Sequence, residues 1–284
     1  VGGAPRVTAV GRAGAGERCA GASEGEVRQR GVGEWLPAEV PGTVHTDLLR
    51  NRCIPDPYYG NVQESLQWID KVEWEYRCTF DAEEAVNRDN ARLVFYGVDC
   101  YADIFLNGEL IARPQNMFRT WTADVTGLLK ARGNTLHVIF RSPTMEGLRN
   151  LTSYGTRLTA NNDLAALGGL GDNKVSVFTR KSGYQYGWDL APRYVTSGLW
   201  KPVVLEAWDG FRIEDLHIDT RAIERKRARM EASLTVRSDA AAECTLRLLV
   251  HGECLAAAER TLEKGVSRSG RPLESASPRG WYPN

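Results

Sequence analysis

The segment Ser182–Trp200 reads SGYQYGWDLAPRYVTSGLW and brings together side chains suited to sugar recognition. Tyr184, Tyr186, Trp188, Tyr194 and Trp200 stand beside Gln185, Asp189 and Arg193. A sugar ring presents an apolar C–H face and a rim of hydroxyls. A flat aromatic can cover the face, while a carboxylate or guanidinium binds the hydroxyls. The same residue types also suit a packed corner in which Asp189 and Arg193 form a structural salt bridge. Composition alone favours the corner. Gln67–Tyr76, QWIDKVEWEY, allows the same two readings, with the corner stronger there.

Other chemistries find less support. Gly11–Gly16 has the texture of a phosphate loop, but no strand precedes it and no helix follows. The chain contains no G-x-S-x-G elbow and no H-E-x-x-H pair, and His45, His137, His217 and His251 lie far apart. Thirty-six carboxylates could include a catalytic pair, but spacing alone identifies none. The six cysteines form no C-x-x-C pair, which argues against a structural zinc site. A two-residue turn at His251-Gly252 would set Cys254 opposite Leu249 and Cys244 opposite Glu259, so a disulfide between the two cysteines is not expected. Free thiols in a reducing compartment follow. No cofactor and no metal is implied.

The elements that must position such a loop are β-rich. The chain has 284 residues, 36 Lys+Arg against 36 Asp+Glu, 42% hydrophobic and 25% charged residues. That balance fits a globular protein and disfavours a nucleic-acid binder, which usually carries a basic excess. Apolar runs are too short to span a membrane. Twenty-eight Gly, 12 Pro and 25 scattered Trp, Tyr and Phe suit many short strands joined by turns. Residues 1–33 are rich in Gly, Ala and Arg and lack the apolar core of a secretory signal. They read as a disordered leader, and a cytoplasmic chain is favoured. Val1 in place of Met and an abrupt end at Trp281-Tyr282-Pro283-Asn284 suggest a fragment.

From residue 34 the pattern organises. Trp35–Leu49 reads as a loop followed by a short helix from His45 to Arg50. Trp74–Phe80 alternates with period two, and Ala91–Val98 is apolar on both faces, as in a central strand. Asn107-Gly108 between apolar stretches is the strongest hairpin signal, because both residues tolerate positive φ. Strand patterns recur at FRTWTADVT, Asn134–Ser142, KVSVFTRKS and Leu199–Asp209. DVTGLLKARGN reads as a helix-like crossover and residues 144–174 as irregular. Residues 34–209 therefore predict a jelly-roll β-sandwich. Residues 210–284 carry further half-buried strands and predict an immunoglobulin-like sandwich. They are fewer than the roughly 100 residues of a complete one.

Five segments resemble the β-mannosidases of glycoside hydrolase family 2: Trp35–Leu49, Ile54–Phe80, Asp103–Glu109, Asn116–Pro143 and Arg180–Asp209. Together they cover about residues 34–209. V-P-G-T-V-H-T-D-L and Y-G-W-D-x-x-P-R are fairly specific to those enzymes, whereas FLNGE and SGLWKPV are shared with β-galactosidases and β-glucuronidases. W-Y-P-N at the end is similar to a motif of their first immunoglobulin-like domain.

The resemblance implies the N-terminal, non-catalytic region of a retaining exo-glycosidase that removes terminal β-D-mannose. Its two catalytic Glu lie in a (β/α)8 barrel, so no catalytic residue is assigned here. The implied partners are a terminal β-mannoside oligosaccharide and that barrel. The resemblance also assigns Trp188 and Asp189 to substrate binding, with Asp189 accepting hydrogen bonds from mannose hydroxyls. Arg193 stays structural. Where the family usually has W-D-W-G-P-R, this chain carries Leu190 and Ala191. A stand-alone carbohydrate-binding module and a family 2 hydrolase for another sugar are the alternatives.

Overall fold

The computed structural model describes residues 7–8, 24–224, 227–250 and 253–275. Two compact units divide the chain, with the junction between Ala207 and Trp208. Each unit is built from antiparallel strands.

The first unit contains a six-stranded sheet. Its strands are β2 (Glu24–Gln29), β3 (Val32–Glu39), β4 (Trp74–Phe80), β6 (Ala102–Leu106), β7 (Glu109–Ala112) and β9 (Asn134–Phe140), in the order β3-β2-β4-β9-β6-β7. A three-stranded sheet is made of β5 (Asn90–Phe95), β8 (Trp121–Asp124) and β10 (Val203–Trp208), in the order β10-β5-β8. The shared core holds Val27, Tyr76, Phe95, Ile104, Leu106, Val125, Val138 and Phe140, all at 5% exposure or less. Tyr76 packs edge-on against Phe140 with ring centroids 5.6 Å apart. Truncating a buried Phe of this kind costs about 3–5 kcal/mol.

Several expectations hold locally. β4 spans Trp74–Phe80 as its alternation predicts. Asn107 and Gly108 adopt φ 53° and 89°, the primed turn that the pair favours. The Asn107 amide fixes that turn further, donating to the Leu128 carbonyl at 2.8 Å and accepting from the Thr135 N–H at 3.0 Å.

Others are corrected. Ordered sheet begins at Glu24 rather than residue 34, because β2 pairs with both β3 and β4 and buries Val27. Val7–Thr8 also form a strand, β1. Trp35–Glu39 is part of β3 rather than a loop; Pro37 is tolerated because β3 is an edge strand. Residues 144–154, within the stretch expected to be irregular, belong to a helix, Pro143–Tyr154. Ser142 caps its start by accepting from the Met145 N–H, Pro143 sits in its first turn, and Gly155 ends it at φ 80°. KVSVFTRKS is no strand; it contains a short 3-10 turn at Ser176–Phe178. DVTGLLKARGN forms turns rather than a helical crossover.

The second unit holds two three-stranded sheets. Its strands are β11 (Phe211–Glu224), β12 (Arg227–Ser238), β13 (Ala242–Val250), β14 (Glu253–Leu262) and β15 (Gly265–Ser275), with β1 against β13. The sheet orders are β11-β12-β15 and β1-β13-β14. Cys254 faces Leu249 as the turn arithmetic predicts, but Cys244 faces Arg260. A register shift between Leu248 and Leu249 displaces every pair beyond it by one residue. Among the described residues Cys244 and Cys254 are both free thiols. The His251-Gly252 turn, the W-Y-P-N end and most of the leader lie outside the described residues.

Candidate functional site

The segment V-P-G-T-V-H-T-D-L supplies the floor. Its helix, α1 (Val44–Arg50), starts with a reciprocal cap between Thr43 and Thr46. Asp47 is fully buried and accepts from the Tyr76 hydroxyl at 2.7 Å, the Arg50 guanidinium at 2.8 Å and the Glu39 N–H at 3.1 Å. Burial nonetheless pushes its carboxyl above the usual carboxylate range. The stretch leading into the helix pairs with the candidate loop. The Gly42 N–H donates to the Leu199 carbonyl at 2.9 Å, and the Val44 N–H to the Ser197 carbonyl at 2.8 Å. Gly198 lies between these contacts at φ 151°, and a Cβ there would stand 2.7 Å from the Gly42 oxygen.

Two buried charge networks then hold the loop at its ends. Lys181 places its ammonium 2.9 Å from Asp99 and donates to the Thr196 carbonyl at 2.6 Å. Asp99 also accepts from the Thr196 hydroxyl at 2.7 Å. At the other end, the Arg193 guanidinium is 1% exposed. It donates to Asp70 at 2.8 Å and to Gln67 at 2.5 Å, and Gln67 returns a hydrogen bond to the Arg193 carbonyl at 2.9 Å. Thr144, in the first turn of the Pro143–Tyr154 helix, donates to the same Asp70 oxygen at 2.5 Å. Gly168 admits the guanidinium, since a Cβ there would sit 2.7 Å from Arg193 Cζ. Charges this far from water persist only when paired and hydrogen-bonded.

Between the anchors, Tyr186 is wholly buried, with its hydroxyl 2.9 Å from the Thr179 hydroxyl. The chain then turns outward. Trp188 and Ala191 form a bridge, the Ala191 N–H donating to the Trp188 carbonyl, and Asp189 sits at the tip with φ 31°. Trp188 is 52% exposed and Leu190 93%. Among the described residues the Asp189 carboxylate makes no hydrogen bond and no ion pair. The loop therefore presents a half-exposed indole and a free carboxylate on a rigid base. A positive φ at a non-glycine position is a local backbone strain, one that Asp bears more readily than most residues.

Trp188 and Asp189 come together at one exposed tip. The corner salt bridge expected between Asp189 and Arg193 does not form; Arg193 turns inward to Asp70, 123 residues away. Gln67 and Asp70, from the QWIDKVEWEY stretch, prove to be the arginine's partners. Nothing in the sequence singles out Lys181 and Asp99, since a lone charge in an apolar string carries no sign of its distant partner. Among the described residues no group of three His, Cys, Asp or Glu stands close enough to hold a metal. No helix among them is long and apolar enough to cross a membrane.

Residues 25–201, which contain the whole site, match the family model of the glycosyl hydrolase 2 galactose-binding domain-like proteins. The chain belongs to that family. Within it, the chain is 29% identical over 256 residues to β-mannosidase B of Thermothelomyces thermophilus, covering 88% of this chain and 28% of that enzyme. It is 30% identical to β-mannosidase B of Aspergillus terreus, with 88% and 29% covered. The crystal structure of β-D-mannosidase from Dictyoglomus thermophilum superposes with a TM-score of 0.82 at 30% identity, over 98% of this chain and 32% of that one. An exo-chitosanase from Amycolatopsis orientalis shares the fold, with a TM-score of 0.66 at 16% identity. The chain thus spans under a third of the length of these relatives. It corresponds to the N-terminal portion of a β-mannosidase-like glycosyl hydrolase 2 protein.

Proposed function

We propose that this chain is the non-catalytic region of a retaining exo-β-mannosidase and that its Trp188–Asp189 tip holds the terminal mannose. The observation that carries this reading is the tip itself. An indole and an unpartnered carboxylate project from a loop whose two ends are fixed by buried ion pairs. Trp188 covers the apolar face of the sugar, and Asp189 accepts hydrogen bonds from its hydroxyls. Hydrolysis belongs to two Glu residues of a barrel to which this region is joined, one as nucleophile and one as acid/base. The present region contributes orientation, which lowers the barrier by holding the ring in place for attack. Leu190 replaces the aromatic usual in such loops and leaves one side of the tip without a ring for stacking.

The test uses the complete protein that carries this region. Asp189→Ala is expected to lower kcat/KM on an aryl β-mannoside by about 100-fold, the value of one or two charge-assisted hydrogen bonds. Activity on the aryl β-galactoside and β-glucosaminide should stay low throughout. Unchanged kcat/KM in both Trp188→Ala and Asp189→Ala, or a clear preference for another sugar, would refute the assignment.

A further inference from the structure

The outward face of the six-stranded sheet carries a feature that the loop reading does not use. Side chains on that face should be polar and hydrated, because alternate positions fill the core. Instead Glu75 of β4 is 5% exposed, and Trp35 of β3 lies in the same cluster. Arg28 and Arg77 place their guanidinium centres 4.4 and 4.1 Å from the Trp35 ring. His137 of β9 meets Trp35 edge-on at 6.3 Å and places Nε2 2.8 Å from Glu75. These residues line a cavity of about 630 Å³, with Thr79 and Thr135 adding hydroxyls. That volume lies within the range of small-ligand sites.

Glu75 is held, not merely enclosed. One oxygen accepts from the Gly31 N–H at 2.9 Å and lies 3.5 Å from Arg28, while the other faces His137. Burial alone would raise its carboxyl; these partners outweigh it and hold it below the usual carboxylate range. Arg28 also keeps a buried Nε–H without a hydrogen-bond partner. An unsatisfied donor beside a fixed carboxylate is costly in a closed structure and is met when a hydroxyl enters. The charges cancel, two guanidiniums against Glu75 and Glu26, the latter 2.6 Å from Arg77. A neutral cluster attracts neither phosphate nor polycations over distance. Its donors and acceptors suit a ligand that offers both, without charge.

We propose that this sheet face is a second carbohydrate-binding site, taking a neutral oligosaccharide through its hydroxyls, separate from the Trp188–Asp189 tip. The two sites share no residue. This site would hold a length of polysaccharide whose terminal sugar is processed elsewhere. It does not depend on Trp188 or Asp189 touching sugar.

The test is a titration of the 284-residue chain with β-1,4-mannotetraose and, in parallel, cellotetraose, followed by amide and indole NMR shifts. Saturable shifts at Trp35, His137 and Thr135 with either sugar are expected. Glu75→Gln should weaken binding about ten-fold, the effect of one charge-assisted hydrogen bond. Thr135→Arg fills the cavity from an exposed position without removing a core contact, and should abolish binding in a chain whose spectrum stays folded. Trp188→Ala should leave these shifts unchanged. No saturable shift with either sugar would overturn the proposal. So would binding that survives Thr135→Arg, or shifts that answer to inorganic phosphate and not to sugar. Loss only in Trp188→Ala would place the sugar at the tip and defeat the second site alone.

Discussion

Arg193 and Asp70 stand 123 residues apart in the chain and meet at 2.8 Å, with side chains 1% and 3% exposed. The pair joins the outgoing end of the candidate loop to the turn before β4, and Thr144 ties the Pro143–Tyr154 helix to the same carboxylate. An exposed tip such as Trp188–Leu190 requires such a base, because its own residues make few contacts.

Removing one partner of this pair strands the other. Arg193→Met is expected to destabilise the chain by about 3–5 kcal/mol, since Asp70 is left buried without its cation. The double variant Arg193→Met with Asp70→Leu should recover a large part of that loss. Urea denaturation of the three proteins measures the coupling. Additive losses would mean that the pair is not coupled in the folded state.

His45 makes stability depend on pH. The residue is 8% exposed, and burial, opposed by Asp70 and reinforced by Lys181, lowers its pKa to about 4. Below the ordinary value of 6.5 the unfolded chain takes up a proton that the folded chain refuses. Stability from this group is therefore complete above about pH 6.5 and falls as pH drops toward 4. The full loss is about 3 kcal/mol. Melting His45→Phe across pH 4–8 should show a shallower acid limb than the parent chain. Parallel curves would remove His45 as the cause.

Gly198 should resist substitution. With φ at 151°, an added Cβ would come within 2.7 Å of the Gly42 oxygen, which leaves no room for alanine. Gly198→Ala is expected to cost about 1–3 kcal/mol and to loosen the contact between residues 42–44 and 197–199. Faster amide exchange at Gly42 and Val44 would report that loosening.

Asp189 should behave in the opposite way. It is exposed, makes no hydrogen bond among the described residues, and sits at φ 31°. Asp189→Gly relieves the strain and is expected to hold or raise stability, by about 1 kcal/mol at most. In the complete protein the same change should weaken sugar processing. A clear drop in melting temperature would show that the carboxylate serves the fold.

Local signals are legible in the sequence. β4, the Asn107-Gly108 turn and α1 each depend on residues adjacent in the chain: period-two alternation, tolerance of positive φ, a reciprocal threonine cap. Helix Pro143–Tyr154 has its cap, its proline and its terminal glycine, but Thr, Asn and an internal Gly weaken its propensity, and packing against Ile69–Lys71 and Ser176–Phe178 compensates. The strand expected at KVSVFTRKS fails for the converse reason. Val175 packs into a buried cluster, while Val177 stays exposed on a 3-10 turn that has no sheet partner.

The amino-acid sequence determined that this chain is β-rich and which family it resembles; the Trp188–Asp189 candidate came from that resemblance, since composition alone favoured a packed corner. The β-rich pattern and the resemblance rest on residue type and near neighbours. Only the tertiary structure decided that Arg193 serves Asp70 and not Asp189, that Lys181 meets Asp99, and that Glu75 is buried on an outward face. Those pairings join residues tens to more than a hundred positions apart. A charge in sequence carries no mark of its partner; the desolvation that makes the partner necessary arises only when the sheets close around it.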